Sequence, residues 1–220
     1  MYRIAICCYD RNNKKRHIII LSDHIDAANR LPFDGEVYYL AGFLDTSRAA
    51  DLFDQLRSRT KWRQPVWRIF GKTVRSPRLS AWSGNPGITY TYSGLENTAT
   101  GWDPLLLDLC NQLNEDFSLT FNSVLLNYYE SGSSSIGWHS DDEPELGQQP
   151  VIASISLGAE RRFVLKHRLR KPGIVELGLE HGSLLLMGGM TQHFWKHTVP
   201  KTRVPVEARI NLTYRQIINT

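Results

Sequence analysis

The residues best suited to chemistry in this 220-residue sequence are His139-Ser140-Asp141. Side chains at i and i+2 of an extended segment point the same way, so this imidazole and carboxylate can grip one metal ion together. One more histidine would complete a 2-His-1-carboxylate set with open coordination positions, as in non-haem Fe(II) oxygenases, although a zinc hydrolase can use the same ligands. The spacing is a weak signal alone, because His24-Ile25-Asp26 repeats it among only seven histidines. The surroundings favour the later pair. His193 and His197 follow it, and Trp138, Asp142 and Glu143 give it an aromatic and acidic rim. Spacing leaves His193 and His197 both open as the third ligand.

A second constellation lies at the C-terminal end. Arg209, Asn211, Thr213 and Arg215 alternate with Ile210, Leu212 and Tyr214. That alternation predicts a strand with one polar and one apolar face. An edge strand with a wet face would read the same way. Two arginines flanking an asparagine on one face also suit a dicarboxylate, since guanidinium forms forked, charge-assisted bonds to carboxylate. Asn127 and Tyr129 form a similar i, i+2 pair twelve residues before His139. An Fe(II) triad beside an arginine-lined dicarboxylate pocket is the plan of a 2-oxoglutarate-dependent oxygenase.

These residues need a scaffold. Asp45 or Thr46 can cap a helix with apolar positions Ala49, Leu52, Phe53 and Leu56, and Asp103-Pro104 opens a second with Leu106, Leu109, Cys110 and Leu113. Strand-like runs follow at 87–93, 123–130, 151–157, 162–166, 174–177, 183–187 and 209–217, separated by Gly, Pro and Asn clusters. With helices early and many short strands late, the expected class is mostly β with flanking helices (α+β), a sandwich or barrel braced by helices. Residues 2–8 and 17–22 resemble a hairpin, so residues 1–35 are taken as an N-terminal extension and 36–220 as the main domain.

Composition sets the outer bounds. A 25.2 kDa chain with 41% hydrophobic and 22% charged residues is one globular domain, neither disordered nor fibrous. Its apolar runs are too short to span a bilayer, no signal-peptide core follows Arg3, and Cys7, Cys8 and Cys110 fit no disulfide framework. The expectation is a monomer that is not secreted, cytoplasmic in a bacterium or nuclear in a eukaryote, with no membrane partner. The net charge of +4 is uneven. Residues 57–78 hold Arg57, Arg59, Lys61, Arg63, Arg68, Lys72, Arg75 and Arg78 with no acid, interleaved with Trp62, Trp67 and Phe70. Arg161, Arg162, Lys166, Arg168, Arg170 and Lys171 form a second cluster. Concentrated positive charge suggests a polyanionic partner, with a solvated surface as the alternative.

Several ordered blocks together resemble the AlkB family of nucleic-acid dealkylating dioxygenases. They are Asn127-Tyr128-Tyr129, His139-Ser140-Asp141-Asp142-Glu143-Pro144, the stretch 152–159, His181-Gly182-Ser183-Leu184-Leu185, Trp195-Lys196-His197-Thr198-Val199-Pro200 and Arg209-Ile210-Asn211-Leu212-Thr213-Tyr214-Arg215. Phe70-Gly71-Lys72 and the stretch 87–94 extend the likeness upstream, so that it covers residues 38–217. The resemblance implies a double-stranded β-helix (jelly-roll) core. It implies that His139, Asp141 and His197 bind iron, the Trp195-Lys196-His197 block choosing His197 over His193. By the same resemblance, Arg209 pairs with the distal carboxylate of 2-oxoglutarate with help from Tyr129. Arg215 and Asn127 hold its metal-chelating end, and Asn211 supports the pocket. Glu143 matches the acid that meets the base's exocyclic edge. Tyr92 matches the aromatic that stacks the flipped base against His139, with Tyr90 beside it, and Phe70 matches a finger that fills the gap in the duplex. Arg78 belongs to the basic run that would grip phosphates. Ala208 departs from the proline usual before the arginine. Tyr90 and Tyr92 as ordinary sheet aromatics, and Glu143 as a solvated acid, are the alternatives.

The implied activity is oxidative demethylation of N-alkylated bases of the 1-methyladenine and 3-methylcytosine type, with Fe(II), O2 and 2-oxoglutarate, in single- or double-stranded DNA, with RNA as a second substrate. The alternatives are an oxygenase of the same fold acting on protein or a small molecule, and a catalytically silent nucleic-acid-binding protein.

Overall fold

The computed structural model describes residues 5–7, 17–19, 28–69, 72–92 and 95–218. In chain order the elements are β1 (Ala5–Cys7), β2 (His17–Ile19), β3 (Glu36–Leu40), α1 (Thr46–Arg59), β4 (Val66–Ile69), β5 (Lys72–Arg75), β6 (Leu79–Gly84), β7 (Thr89–Tyr92), β8 (Leu95–Thr98), α2 (Pro104–Phe117), β9 (Ser123–Tyr129), β10 (Ile136–His139), a 3-10 turn (Pro144–Leu146), β11 (Ile152–Gly158), β12 (Arg161–His167), β13 (Ile174–Leu179), β14 (Leu184–Gly188), α3 (Thr191–Phe194), β15 (Trp195–Val199) and β16 (Arg209–Arg215).

Two antiparallel sheets form the body, one with the order β3-β14-β11-β16-β9-β6 and the other β10-β15-β12-β13. This is the jelly-roll expected from the sequence, mostly β with helices to one side. β1–β2, β4–β5 and β7–β8 are separate two-stranded pairs.

The helices begin where their caps dictate. The Asp45 carboxylate accepts from the Arg48 amide, and the Asp103 carboxylate accepts from the Leu105 amide ahead of a proline at the helix start. Their apolar stripes (Leu52 and Leu56; Leu106, Leu109, Leu113 and Phe117) lie in one cluster with Val124, Leu126, Ile155, Leu157, Ile210, Leu212 and Tyr214 of the larger sheet. A second cluster contains Tyr129, Ile152, Phe163, Leu165, Leu185, Met187, Trp195 and Val199 from both sheets. Adjacent strand residues thus divide between the helix side and the space between the sheets.

β16 is an interior strand, hydrogen-bonded to β11 on one side and β9 on the other, and every residue in it is buried. Its polar face is therefore no solvent edge. It points between the sheets, while Ile210, Leu212 and Tyr214 cover the helix side. Residues 28–35 pack into the same body: Leu31 is buried in the second cluster, and the Phe33 carbonyl accepts from the Trp195 indole at 3.2 Å.

Candidate active site

β10 and β15 pair antiparallel, and His139 faces His197 across that ladder. Their ring centroids lie 4.2 Å apart. Asp141 follows two residues after His139, and one ligand atom from each of the three lies within 4.8 Å of the others. Among the described residues, this is the only such group of His, Cys, Asp and Glu. His193 is exposed on α3 and takes no part, so the third ligand is on the strand and not on the short helix.

Surrounding residues fix His139 and Asp141. The His139 Nδ1–H donates to the Gly137 carbonyl at 2.9 Å, which leaves Nε2 with its lone pair toward Asp141 at 3.6 Å. The Asp141 amide donates to Gln192 Oε1 at 3.0 Å, and Arg215 Nη2 donates to Asp141 Oδ2 at 2.9 Å. Ser140, between the two ligands, donates to the Trp195 carbonyl at 2.9 Å and accepts from Arg168 Nη2 at 2.8 Å. The end of β10 and the residues after it, which carry two ligands, are thereby tied to the strand carrying the third.

The electrostatics keep these groups in metal-binding form. Burial alone raises the Asp141 carboxyl, but Arg215, His197 and His139 outweigh it and hold the group well below the usual carboxylate range. Burial, with His139 nearby, pushes the His197 imidazole down to about 3, so it stays neutral. Asp141 Oδ1 and His197 Nδ1 are buried without hydrogen-bond partners. An unsatisfied carboxylate oxygen beside the neutral His197 imidazole fits a divalent cation and explains why such costly burial is tolerated.

The adjoining cavity lies between the sheets. Asn127, Tyr129, His139, Asp141, His197, Arg209, Asn211 and Arg215 all line it, joined by Ser154, Phe163, Leu179 and Thr213. Register brings Arg209 opposite Tyr129 and Asn211 opposite Asn127 on β9, with Asn211 opposite Ser156 on β11. Arg209 is 1% exposed, and its Nη2 donates to Ser156 Oγ at 2.8 Å. Its Nε and Nη1 are buried without partners. Burial pulls this guanidinium down to about 10 against the opposing influence of Tyr129, so it remains charged at neutral pH. A buried cation with two unused donors is a docking point for a carboxylate. Asn211 Nδ2 donates to Ser154 Oγ at 2.7 Å, and Thr213 Oγ1 donates to Asn211 Oδ1 at 3.0 Å. Thr213 lies on the polar face expected from the alternation, whereas Ser154 and Ser156 were not singled out in the sequence, although Ser154-Ile155-Ser156 carries the alternation that marks a polar strand face.

Other expectations change. Arg78 is 6% exposed, and its Nε donates to Asn127 Oδ1 at 2.7 Å. It buttresses a cavity residue and is not on the phosphate-facing surface expected of the basic run. Arg57, Arg59, Lys61, Arg63 and Arg75 are exposed. The second basic cluster is largely committed to the fold. Arg161 bonds three carbonyls, Arg162 pairs with Glu176, Arg168 with Asp142 and Arg170 with Asp34. Arg215 holds Asp141, an additional task to the cosubstrate contact expected of it. Glu143 is half-buried just before the 3-10 turn and does not line the cavity. Tyr90 and Tyr92 pair with Asn97 and Leu95 across β7–β8, but their side chains lie outside the described residues. The Trp67 side chain, Phe70 and the His24 pair also fall outside them.

Comparison with known proteins gives a consistent set of relatives. Residues 36–215 match the 2OG-Fe(II) oxygenase superfamily. The bovine protein named alpha-ketoglutarate-dependent dioxygenase alkB homolog 3 is 41% identical over 188 residues, covering 80% of this chain and 64% of the relative. The Arabidopsis thaliana DNA oxidative demethylase ALKBH2 is 35% identical over 209 residues, covering 83% of this chain and 67% of its own. Its human namesake is 40% identical over 159 residues, covering 69% and 61%. The chain thus spans about two thirds of the length of these relatives. The solved structure of OsALKBH1 superposes with a TM-score of 0.58 at 20% identity, covering 82% of this chain and 97% of that one, a likeness of fold.

Proposed function

This chain belongs to the AlkB family within the 2OG-Fe(II) oxygenase superfamily, and from that premise we propose that it oxidatively demethylates N-alkylated bases in DNA, with RNA as a second substrate. The observation that carries the reading is one cavity holding both the His139-Asp141-His197 triad and the unused donors of Arg209. In it His139, Asp141 and His197 hold Fe(II), and Arg209, Tyr129, Asn127, Asn211 and Arg215 hold 2-oxoglutarate. Iron with 2-oxoglutarate and O2 supplies oxidation of a C–H bond, with succinate and CO2 as coproducts. The N-methyl group becomes N-hydroxymethyl. Its N–C bond then breaks, the bonding pair returns to the ring nitrogen as a lone pair, and formaldehyde leaves while the hydroxyl proton passes to solvent, so the cationic base becomes neutral.

The chain's own groups have defined tasks. Neutral His197 and ionised Asp141 present lone pairs without a proton to lose first. Arg215 and Gln192 hold Asp141 from two sides, which orients one oxygen toward the metal. Arg209 fixes the distal carboxylate, and the apolar lining of Phe163, Leu179 and Val199 limits water beside the reacting centre. Tyr92, Tyr90 and Glu143 are assigned to the extruded base by resemblance to the family. A cationic methylated base is cheaper to extrude than a normal one, since unstacking costs a few kcal/mol and least for damaged bases.

The test is formaldehyde release from methylated single-stranded DNA, duplex DNA and RNA with Fe(II) and 2-oxoglutarate. Release from a DNA substrate, lost when 2-oxoglutarate is omitted, supports the reading. Turnover of 2-oxoglutarate stimulated by no nucleic acid would favour a protein or small-molecule substrate.

A further inference from the structure

The strongest feature outside the site residues is Arg161, at the start of β12. Its side chain is buried, the residue being 3% exposed. Nη1 donates to the Ser131 carbonyl at 3.1 Å, and Nη2 donates to the Ser134 carbonyl at 2.9 Å and the Pro200 carbonyl at 2.8 Å. Ser131 and Ser134 lie in the connection from β9 to β10, and Pro200 directly follows β15. One guanidinium therefore ties the exit of the strand bearing Tyr129, the entry of the strand bearing His139 and the exit of the strand bearing His197. It also lies over the Tyr129 ring, 5.6 Å from its centroid, and Arg209 lies over the same ring at 5.2 Å.

Among the described residues, no carboxylate pairs with Arg161 or Arg209. Buried charge is normally matched by opposite charge, because leaving water is costly. Two buried guanidiniums on one tyrosine ring, bonded only to neutral oxygens, give this end of the cavity a positive potential that an incoming carboxylate relieves. Arg161 does not line the cavity, so it would act through Tyr129 and through its charge.

We propose that Arg161 is a positioning residue that sets affinity for the dicarboxylate cosubstrate by holding Tyr129 against Arg209. The proposal rests on the assignment of Arg209 and Tyr129 to 2-oxoglutarate. Arg161→Gln removes the charge and most of the forked bonding. Its 2-oxoglutarate affinity, measured by calorimetry on Mn(II)-loaded protein, is expected to fall roughly 5- to 30-fold, the upper range for a desolvated cation over an aromatic ring. Mn(II) affinity and kcat at saturating cosubstrate are expected to stay within about two-fold, the pattern of a loss confined to cosubstrate binding. Arg161→Lys keeps the charge but not the forked bonding, so it is expected to lose less cosubstrate affinity than Arg161→Gln, about two- to five-fold. In a Tyr129→Leu background the effect of Arg161→Gln should shrink, because the intermediary is gone.

Unchanged cosubstrate affinity in folded Arg161→Gln would overturn the proposal, as would equal losses of Mn(II) and 2-oxoglutarate affinity, which mark a general structural role. If Arg161→Gln does not fold, Arg161→Lys carries the test. Its three carbonyls compete for one ammonium, so a loss of about two- to five-fold in cosubstrate affinity with Mn(II) affinity retained is expected, and no loss overturns the proposal. Arg209→Gln separates the two levels. If it leaves cosubstrate affinity intact, the pocket assignment itself fails; if it weakens binding while Arg161→Gln does not, only the role of Arg161 fails.

Discussion

His139 and Asp141 are each held by a partner that is not itself a ligand. Gly137 sets the His139 tautomer, Gln192 and Arg215 orient Asp141, and Ser140 joins both to the strand of His197. Loss of a residue that only orients a ligand typically costs 10- to 100-fold, so His139→Ala or Asp141→Ala should lower turnover by more than about 100-fold and weaken metal binding. His24→Ala should leave both near wild type, and formaldehyde release with metal titration checks the contrast. Arg78 and Arg75 should behave differently although both lie in one basic run. Arg78→Ala removes a bond to Asn127 and is expected to weaken 2-oxoglutarate binding without changing the salt dependence of DNA binding. Arg75→Glu, on an exposed side chain, should weaken DNA binding and flatten its salt dependence by about one phosphate contact. A flattened salt dependence in the Arg78 variant would return that residue to the nucleic-acid surface.

At the level of elements, the site depends on how strands end. Gly158 closes β11 opposite Arg209, with φ +88°. A Cβ there would lie 2.4 Å from the Ala208 carbonyl and 2.8 Å from the Phe53 ring. Gly158→Ala should cost about 1–3 kcal/mol from backbone strain and contact, and it should disturb cosubstrate binding through the neighbouring arginine. Urea denaturation and 2-oxoglutarate titration check both effects. In α2 the buried Cys110 thiol donates to the Phe121 carbonyl at 3.3 Å, and burial pushes it up to about 11. The folded chain then keeps this proton where the unfolded chain releases it. The stabilisation is full below about pH 9 and is lost as pH rises toward 11, on the order of 2 kcal/mol in all. Cys110→Ala should be less stable at pH 8 but should lose less between pH 8 and 10.5, as denaturation at the two pH values will show.

Across the whole molecule, two sheets enclose the chemistry and the helices close the outer face of the larger sheet. The positive charge that remains exposed is concentrated in residues 57–75, because most of the second basic cluster is paired or bonded within the fold. A polyanion is therefore expected to meet the protein on the side of the β4–β5 hairpin. Phe70 lies between those two strands in sequence. If it fills the gap left by an extruded base, Phe70→Ala should slow repair of a lesion in duplex DNA by roughly 5- to 150-fold, from a stacking contribution of 1–3 kcal/mol, and change single-strand repair little. Equal loss on both substrates would make it a pocket or folding residue.

The amino-acid sequence alone determined the parts that depend on nearest neighbours along the chain. Asp45 and Asp103-Pro104 start helices because capping needs only the next few amides. The alternation in residues 209–215 predicts two unlike faces because the period of a strand is local. The types of the triad and of the cosubstrate residues were legible for the same reason, being carried by short blocks. Short strands such as Glu36–Leu40 and Ile136–His139 gave no comparable signal, since their pairing partners are far away in sequence. Only tertiary structure decided that the polar face of β16 is buried, because that depends on having β9 and β11 as neighbours. The Trp195-Lys196-His197 block had already pointed to His197 over His193 by resemblance, and the register of β10 against β15 supplies the physical reason. The roles of Arg78 and Arg161 were hidden altogether. Each reads as one charge in a basic run, and each is turned inward by oxygen atoms on Asn127, Ser131, Ser134 and Pro200, up to 49 residues away, that only the folded chain brings within hydrogen-bonding distance.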